Sequence, residues 1–209
     1  MIIDNYKAFI FDFDGVVMDT ESLHFKAWNK GFEIMGDTLT EEEYLPLKST
    51  GRKHIVNNFA KKIGREITEA EALRICEIKD DYFKYLCESI DKTLLINGVE
   101  DFLIKLKNEG KQIAVASSAS TTTELLEKVG LTKYFDVVAD GNLGLPKKPD
   151  PAVFLEAADL LGVDAKDCLV FEDSPAGLKA AENVKMDFVA VSGIKSEKAI
   201  LEIKDFTEV

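Results

Sequence analysis

Asp12 and Asp14 stand two residues apart at the end of an apolar run, "AFIFDFDG", and Gly15 follows at once. In an extended strand, residues i and i+2 point to the same side. Two carboxylates held so close repel one another, and burial raises the cost. Such a pair calls for a cation, a shared proton or a chemical task. Other apolar runs also end in reactive residue types. "QIAVASS" ends on Ser117 and Ser118, and "CLVFED" ends on Glu172 and Asp173. "GLPKKPDPAVF" carries Lys147 and Lys148 just ahead of a helical pattern.

These residue types define a narrow chemistry. Four carboxylates gathered in one place need a divalent cation, and an all-oxygen set suits Mg²⁺. A lysine, a serine hydroxyl and loop N–H groups suit a phosphoryl group. A carboxylate beside the metal can attack phosphorus and become an aspartyl-phosphate. A second carboxylate can protonate the leaving oxygen and later activate water.

For these residues to meet, the elements that carry them must share one edge. From about Lys92 onward, β-branched or apolar runs alternate with amphipathic stretches. The runs are 112–118, 135–140, 168–173 and 187–193, and the stretches are 99–109, 123–129, 152–161 and 176–183. With the run before Asp12, five strands are predicted. Near-continuous apolar runs alternating with helices indicate a parallel sheet covered on both faces. In such sheets, ligands bind beyond the carboxyl ends of the strands, where the acids, serines and lysines fall. The segment 20–92 has no strand-like run and reads as helices throughout. Gly36 and Gly64 sit at helix stops, and Thr68 with Glu71 forms a capping-box pattern. The expectation is a doubly wound α/β core, Rossmann-like, formed by 1–19 and 93–209, with an all-helical cap domain, 20–92, inserted after the first strand.

"DFDGV", "ASS", "KKPDP" and "FEDS", in that order, resemble the haloacid dehalogenase superfamily, and the helical insertion resembles the cap of its phosphatase and β-phosphoglucomutase-like branch. The resemblance implies that Asp12 is the nucleophile and Asp14 the acid/base. It implies a phosphate site of Asp14, Gly15, Ser117, Ser118 and Lys148, with Lys148 chosen over Lys147 because the family lysine directly precedes the proline. It implies Mg²⁺ held at Asp12, Asp14, Glu172 and Asp173. Thr20, His24, Arg52, Lys79 and, in the core, Thr121 correspond to substrate-binding positions, and Arg52 could hold a second phosphate. The implied activity is Mg²⁺-dependent hydrolysis of a small phosphorylated metabolite, a sugar phosphate, with the cap closing over it. The alternative is a β-phosphoglucomutase-type transfer between two hydroxyls of one sugar. His24, Arg52 and Lys79 lean toward it, whereas the loop "SASTTTE" argues against it, offering only short hydroxyls at Ser120, Thr121 and Thr122. A non-enzymatic phosphoaspartate switch is the remaining alternative, but such a module is shorter and has no helical insertion.

Composition agrees with a globular enzyme. The chain has 209 residues, 46% of them hydrophobic, and a formal net charge of −12. That charge argues against nucleic acid and anionic membranes as partners. No apolar run reaches the ~20 residues of a membrane span. No signal-peptide pattern opens the sequence, and three scattered cysteines, Cys76, Cys87 and Cys168, make no metal or disulfide pattern. A monomeric cytoplasmic protein is expected.

Overall fold

The computed structural model describes residues 2–48 and 50–209. The chain divides into two compact units, Met1–Asp19 with Asp91–Val209, and Thr20–Ile90.

The first unit is built on a parallel sheet. Its strands are β1 (Ala8–Phe11), β2 (Gln112–Ala116), β3 (Val137–Ala139), β4 (Cys168–Glu172), β5 (Asp187–Ala190) and β6 (Leu201–Glu202), in the order β3-β2-β1-β4-β5-β6. All the pairings are parallel. The alternation of β1 explains how its two faces are filled. Ala8 and Ile10 face one cluster with Ala114, Ala116, Val170 and Phe154, where small side chains let helices approach closely. Phe9 and Phe11 face the other way, into an aromatic layer with Phe102, Phe171 and Phe206; the Phe11 and Phe171 rings stack with centroids 4.8 Å apart. Each such ring contributes heavily, since Phe→Ala in a core costs about 3–5 kcal/mol. Helices α5 (Val99–Asn108), α6 (Thr122–Lys128), α7 (Ala152–Leu161) and α8 (Pro175–Asn183) connect the strands.

The strand order decides where a site can form. The chain runs outward from β1 through β2 to β3, then resumes at β4 on the other side of β1. A crevice opens at such a switch point, between the carboxyl ends of β1 and β4. The pairing continues one step past β1, where the Asp12 N–H donates to the Phe171 carbonyl at 2.9 Å.

All the regular elements among the described residues of the second unit are helical: α1 (Glu21–Phe32), α2 (Glu41–Tyr44), α3 (Arg52–Ile63) and α4 (Glu69–Cys87), with two short 3₁₀ turns, Glu33–Met35 and Leu45–Leu47. Its core gathers Trp28, Phe32, Tyr44, Ile55, Phe59 and Ile75. The Thr68 and Glu71 capping box forms at the start of α4, and Gly64 closes α3 in the left-handed conformation. No helix among the described residues is long and apolar enough to cross a membrane.

Three elements differ from expectation. The strands are shorter than the apolar runs, so Ser117, Ser118 and residues 191–193 lie in loops where they can face a ligand. β6 has only two residues, too few for any periodicity to reveal. α2 has four residues and is set by a second capping box, Thr40 with Glu43, not by an apolar stripe.

Candidate active site

The carboxyl end of the sheet brings Asp12, Lys148, Glu172 and Asp173 into one buried cluster. Asp12 follows β1, Glu172 ends β4 and Asp173 follows it, so neighbouring strands deliver all three acids. The Lys148 side chain is fully buried, and its Nζ lies 2.7 Å from Asp12 Oδ1 and 3.4 Å from Glu172 Oε1. It also donates to the Ala116 carbonyl at 3.3 Å and lies 4.7 Å from the centre of the Phe154 ring.

The cluster has too little positive charge. Three carboxylates face one ammonium, and all four groups are buried. Burial pushes the Asp12 carboxyl up; Lys148 opposes this, and the nearby charge of Asp14 adds to it. Burial and the charge of Asp12 push Glu172 up to about 8. Burial alone would lower Lys148, but Asp12 and Glu172 outweigh it and hold the ammonium at about 12. Both partners of the Asp12–Lys148 pair are therefore pushed in the same direction. Lys148 stays charged.

The excess of negative charge suits a divalent cation. Asp12, Glu172 and Asp173 can each offer one oxygen, the three lying within 4.8 Å of one another. Asp12 Oδ2 is buried and has no hydrogen-bond partner among the described residues. A buried, unpartnered carboxylate oxygen is costly unless something positive or electrophilic meets it. The donor set is all oxygen, which fits Mg²⁺. Asp14 is half-buried and its carboxylate lies outside this trio.

Local backbone explains the close approach. Gly15 has φ +82, and a Cβ there would run into the Asp173 carboxylate. Its N–H donates to the Met18 carbonyl at 2.7 Å, so what it offers the site is space. Glu172 is held from two sides. Its Oε1 accepts from the Ser174 hydroxyl at 2.7 Å, and its Oε2 from the Asp173 N–H at 2.9 Å. Ser174 also caps α8 by accepting from the Gly177 N–H at 3.0 Å, and any Cβ on Gly177 would overlap the Glu172 side chain. Sequence reading passed over Ser174 and Gly177, although Ser-Pro at a helix start is a capping signal.

The remaining predicted residues divide between the two units. Ser117 is buried, and its Oγ accepts from the Ala119 N–H at 3.0 Å, which leaves its hydroxyl hydrogen to donate elsewhere. The Ser118 carbonyl accepts from Lys147 at 3.0 Å, so the two adjacent lysines go different ways. Thr121 immediately precedes α6. Thr20, His24, Arg52 and Lys79 belong to the helical unit. Thr20 is buried just before α1. The His24 ring stacks on Phe83 with centroids 4.0 Å apart, and Lys79 Nζ lies 4.8 Å from the same Phe83 ring and 5.7 Å from Trp28. Arg52 meets Asp80 with both prongs, at 2.8 and 3.1 Å.

The haloacid dehalogenase-like hydrolase family model matches residues 9–191. A β-phosphoglucomutase of Bacillus subtilis is 32% identical over 187 residues, covering 88% of this chain and 83% of that protein. A phosphorylated carbohydrates phosphatase of Thermotoga maritima is 30% identical over 213 residues, covering 94% and 90% respectively. Among solved structures, a β-phosphoglucomutase from Clostridium difficile superposes with a TM-score of 0.90 at 28% identity, covering 98% of this chain and 93% of that one. The four motifs, the switch-point cluster and these likenesses agree: the chain belongs to the haloacid dehalogenase-like hydrolase family, in its phosphatase and β-phosphoglucomutase-like branch, and is an enzyme of the phosphatase or phosphomutase kind.

Proposed function

We propose that this enzyme hydrolyses a small sugar phosphate through an aspartyl-phosphate on Asp12. One observation carries the reading: Asp12 is buried with one oxygen bound to Lys148 and the other lacking a hydrogen-bond partner among the described residues. A carboxylate arranged in this way is oriented, desolvated and still able to use Oδ2 as a nucleophile.

Asp12 Oδ2 forms a bond to phosphorus as the ester P–O bond breaks. Asp14 gives its proton to the departing sugar oxygen. Asp14, now a carboxylate, takes a proton from water, whose oxygen bonds to phosphorus as the Asp12–phosphorus bond breaks. Lys148 holds Asp12 in register and offsets charge on the phosphoryl oxygens. The Ser117 hydroxyl donates to one of those oxygens. Asp12, Glu172 and Asp173 would hold Mg²⁺, which supplies charge neutralisation for the phosphoryl group. Ser174 and Gly177 keep Glu172 in place.

Hydrolysis is favoured over mutase chemistry by the loop after Ser117, where Ser120, Thr121 and Thr122 offer a sugar only short hydroxyls. A mutase must grip a sugar bisphosphate at both ends, and Arg52 is the cap cation suited to the second phosphate. Asp80 engages it with both oxygens, but the pair is exposed, and a phosphate displaces such a partner at a cost of only about 0–1 kcal/mol, so Arg52 does not decide between the two.

A panel of hexose and pentose monophosphates, assayed for free phosphate with Mg²⁺ and again with excess chelator, tests the reading. Release from several of them, abolished by chelator, is expected. Efficient conversion of β-glucose 1-phosphate to glucose 6-phosphate with negligible free phosphate would overturn it in favour of the mutase.

A further inference from the structure

The loop after β5 contains a residue in an unusual conformation at the edge of the site. Ser192 has φ 58, in the left-handed region that residues with a Cβ enter at a cost. Among the described residues other than glycine, only Lys185 shares that region, and it lies in the turn that ends α8. Ser192 is the first of two left-handed residues, with Gly193 at φ 83, in a turn that the Ile194 N–H closes by donating to the Val191 carbonyl at 3.4 Å. The conformation turns its hydroxyl onto the Gly15 carbonyl, to which it donates at 2.7 Å. One residue earlier, the Val191 N–H donates to the Glu172 carbonyl at 2.8 Å.

Two consecutive residues therefore grip both strand ends that present carboxylates. Val191 holds the end of β4, at the residue before Asp173. Ser192 holds the turn after β1, at the residue following Asp14. Gly15 is also where the two sides touch, because the space beside its Cα is filled by the Asp173 carboxylate. Any drift of Gly15 moves the turn bearing Asp12 and Asp14 against or away from Asp173. The turn requires a left-handed residue at 192, where glycine or asparagine would cost less, and serine there adds a hydroxyl that reaches the Gly15 carbonyl.

We propose that Ser192 is a positioning residue that clamps the Gly15 turn to the end of β4 and so fixes the spacing of Asp12 and Asp173. The proposal rests on the reading of Asp12, Glu172 and Asp173 as an Mg²⁺ pocket. Its test separates the hydroxyl contact from the backbone strain. Ser192→Ala loses the contact and keeps the strain, whereas Ser192→Gly loses the contact and relieves the strain. Mg²⁺ binding to the chelator-stripped full-length protein is measured by calorimetry, alongside the unfolding midpoint of each variant.

Both variants should bind Mg²⁺ about tenfold more weakly, the loss typical of removing a residue that orients metal ligands. Ser192→Gly should unfold no earlier than wild type. A combination of weaker binding with undiminished stability is one that a merely structural role would not give. Affinities within about twofold of wild type in both variants would overturn the clamp, as would wild-type affinity in Ser192→Gly alone. So would weaker binding accompanied by a lowered midpoint in Ser192→Gly. A wild-type protein that binds no Mg²⁺ would overturn the metal reading and the clamp with it, a failure distinct from normal wild-type binding with unmoved variants.

Discussion

Lys148→Met tests the charge balance of the site. Methionine matches the length and apolar stem of lysine, so packing against Phe154 survives while the ammonium is lost. The structure gives that ammonium three partners: Asp12 at 2.7 Å, the Ala116 carbonyl at 3.3 Å and Glu172 at 3.4 Å. All are buried, so water cannot take its place. Removing one member of a buried ion pair costs about 3–5 kcal/mol, because the remaining charge is left uncompensated. Here three carboxylates would be left together. For a chain of this size that corresponds to a fall in unfolding midpoint of roughly 6–20 °C at neutral pH in chelator. Mg²⁺ should return part of the loss, because a divalent cation can supply the missing positive charge. Turnover should fall by about 10²–10³, the effect of removing one charged donor aimed at developing negative charge. Thermal unfolding with and without Mg²⁺ reads the first effect, and phosphate release reads the second. A midpoint within about 2 °C of wild type in chelator, equivalent to less than roughly 1 kcal/mol, would refute the claim that Lys148 neutralises buried carboxylates.

Other predictions follow from individual contacts. Gly177→Ala should weaken Mg²⁺ binding by about tenfold or more, because the new methyl group must displace Glu172; calorimetry checks it. Asp173→Asn should abolish Mg²⁺-dependent turnover while the far-ultraviolet circular dichroism stays that of wild type. In the cap unit, the Thr68 backbone N–H, then Arg65 and the Thr68 hydroxyl, hold Glu71 down to about 2 from an ordinary value of 4.5. Its folded value lies below its unfolded one, so its contribution is complete above about 4.5 and is lost as pH falls toward 2. Glu71→Gln should flatten the stability profile in that window, measured by acid titration of helicity.

Much of this arrangement was legible in the sequence, for local reasons. Asp12 and Asp14 end an apolar run, and Glu172 and Asp173 end another, so strand periodicity and the edge rule for parallel sheets put them near one another. Thr68 with Glu71 and the glycine stop at Gly64 follow from short-range hydrogen bonding that any chain obeys. What stayed hidden depends on distant neighbours. Gly177 is required because Glu172 fills its Cβ position, and that collision exists only once β4 and α8 have packed. Ser192 with Gly193 signals only a turn, and nothing local shows that the Ser192 hydroxyl reaches Gly15, 177 positions away. The Arg52–Asp80 pair joins α3 to α4 and could not be read from either helix alone.

The most direct test of the account is to look for the phosphorylated enzyme itself. Asp14→Asn should still accept a phosphoryl group from acetyl phosphate in the presence of Mg²⁺, because that donor's leaving group needs little protonation. Without its base, the variant should fail to release the group to water. Intact mass spectrometry followed by peptide mapping should find one added phosphoryl group, on the peptide containing Asp12 and absent from the Asp12→Asn/Asp14→Asn double variant. A phosphoryl group found on another residue, or none while the wild-type enzyme turns over normally, would contradict the assignment of Asp12 as the nucleophile.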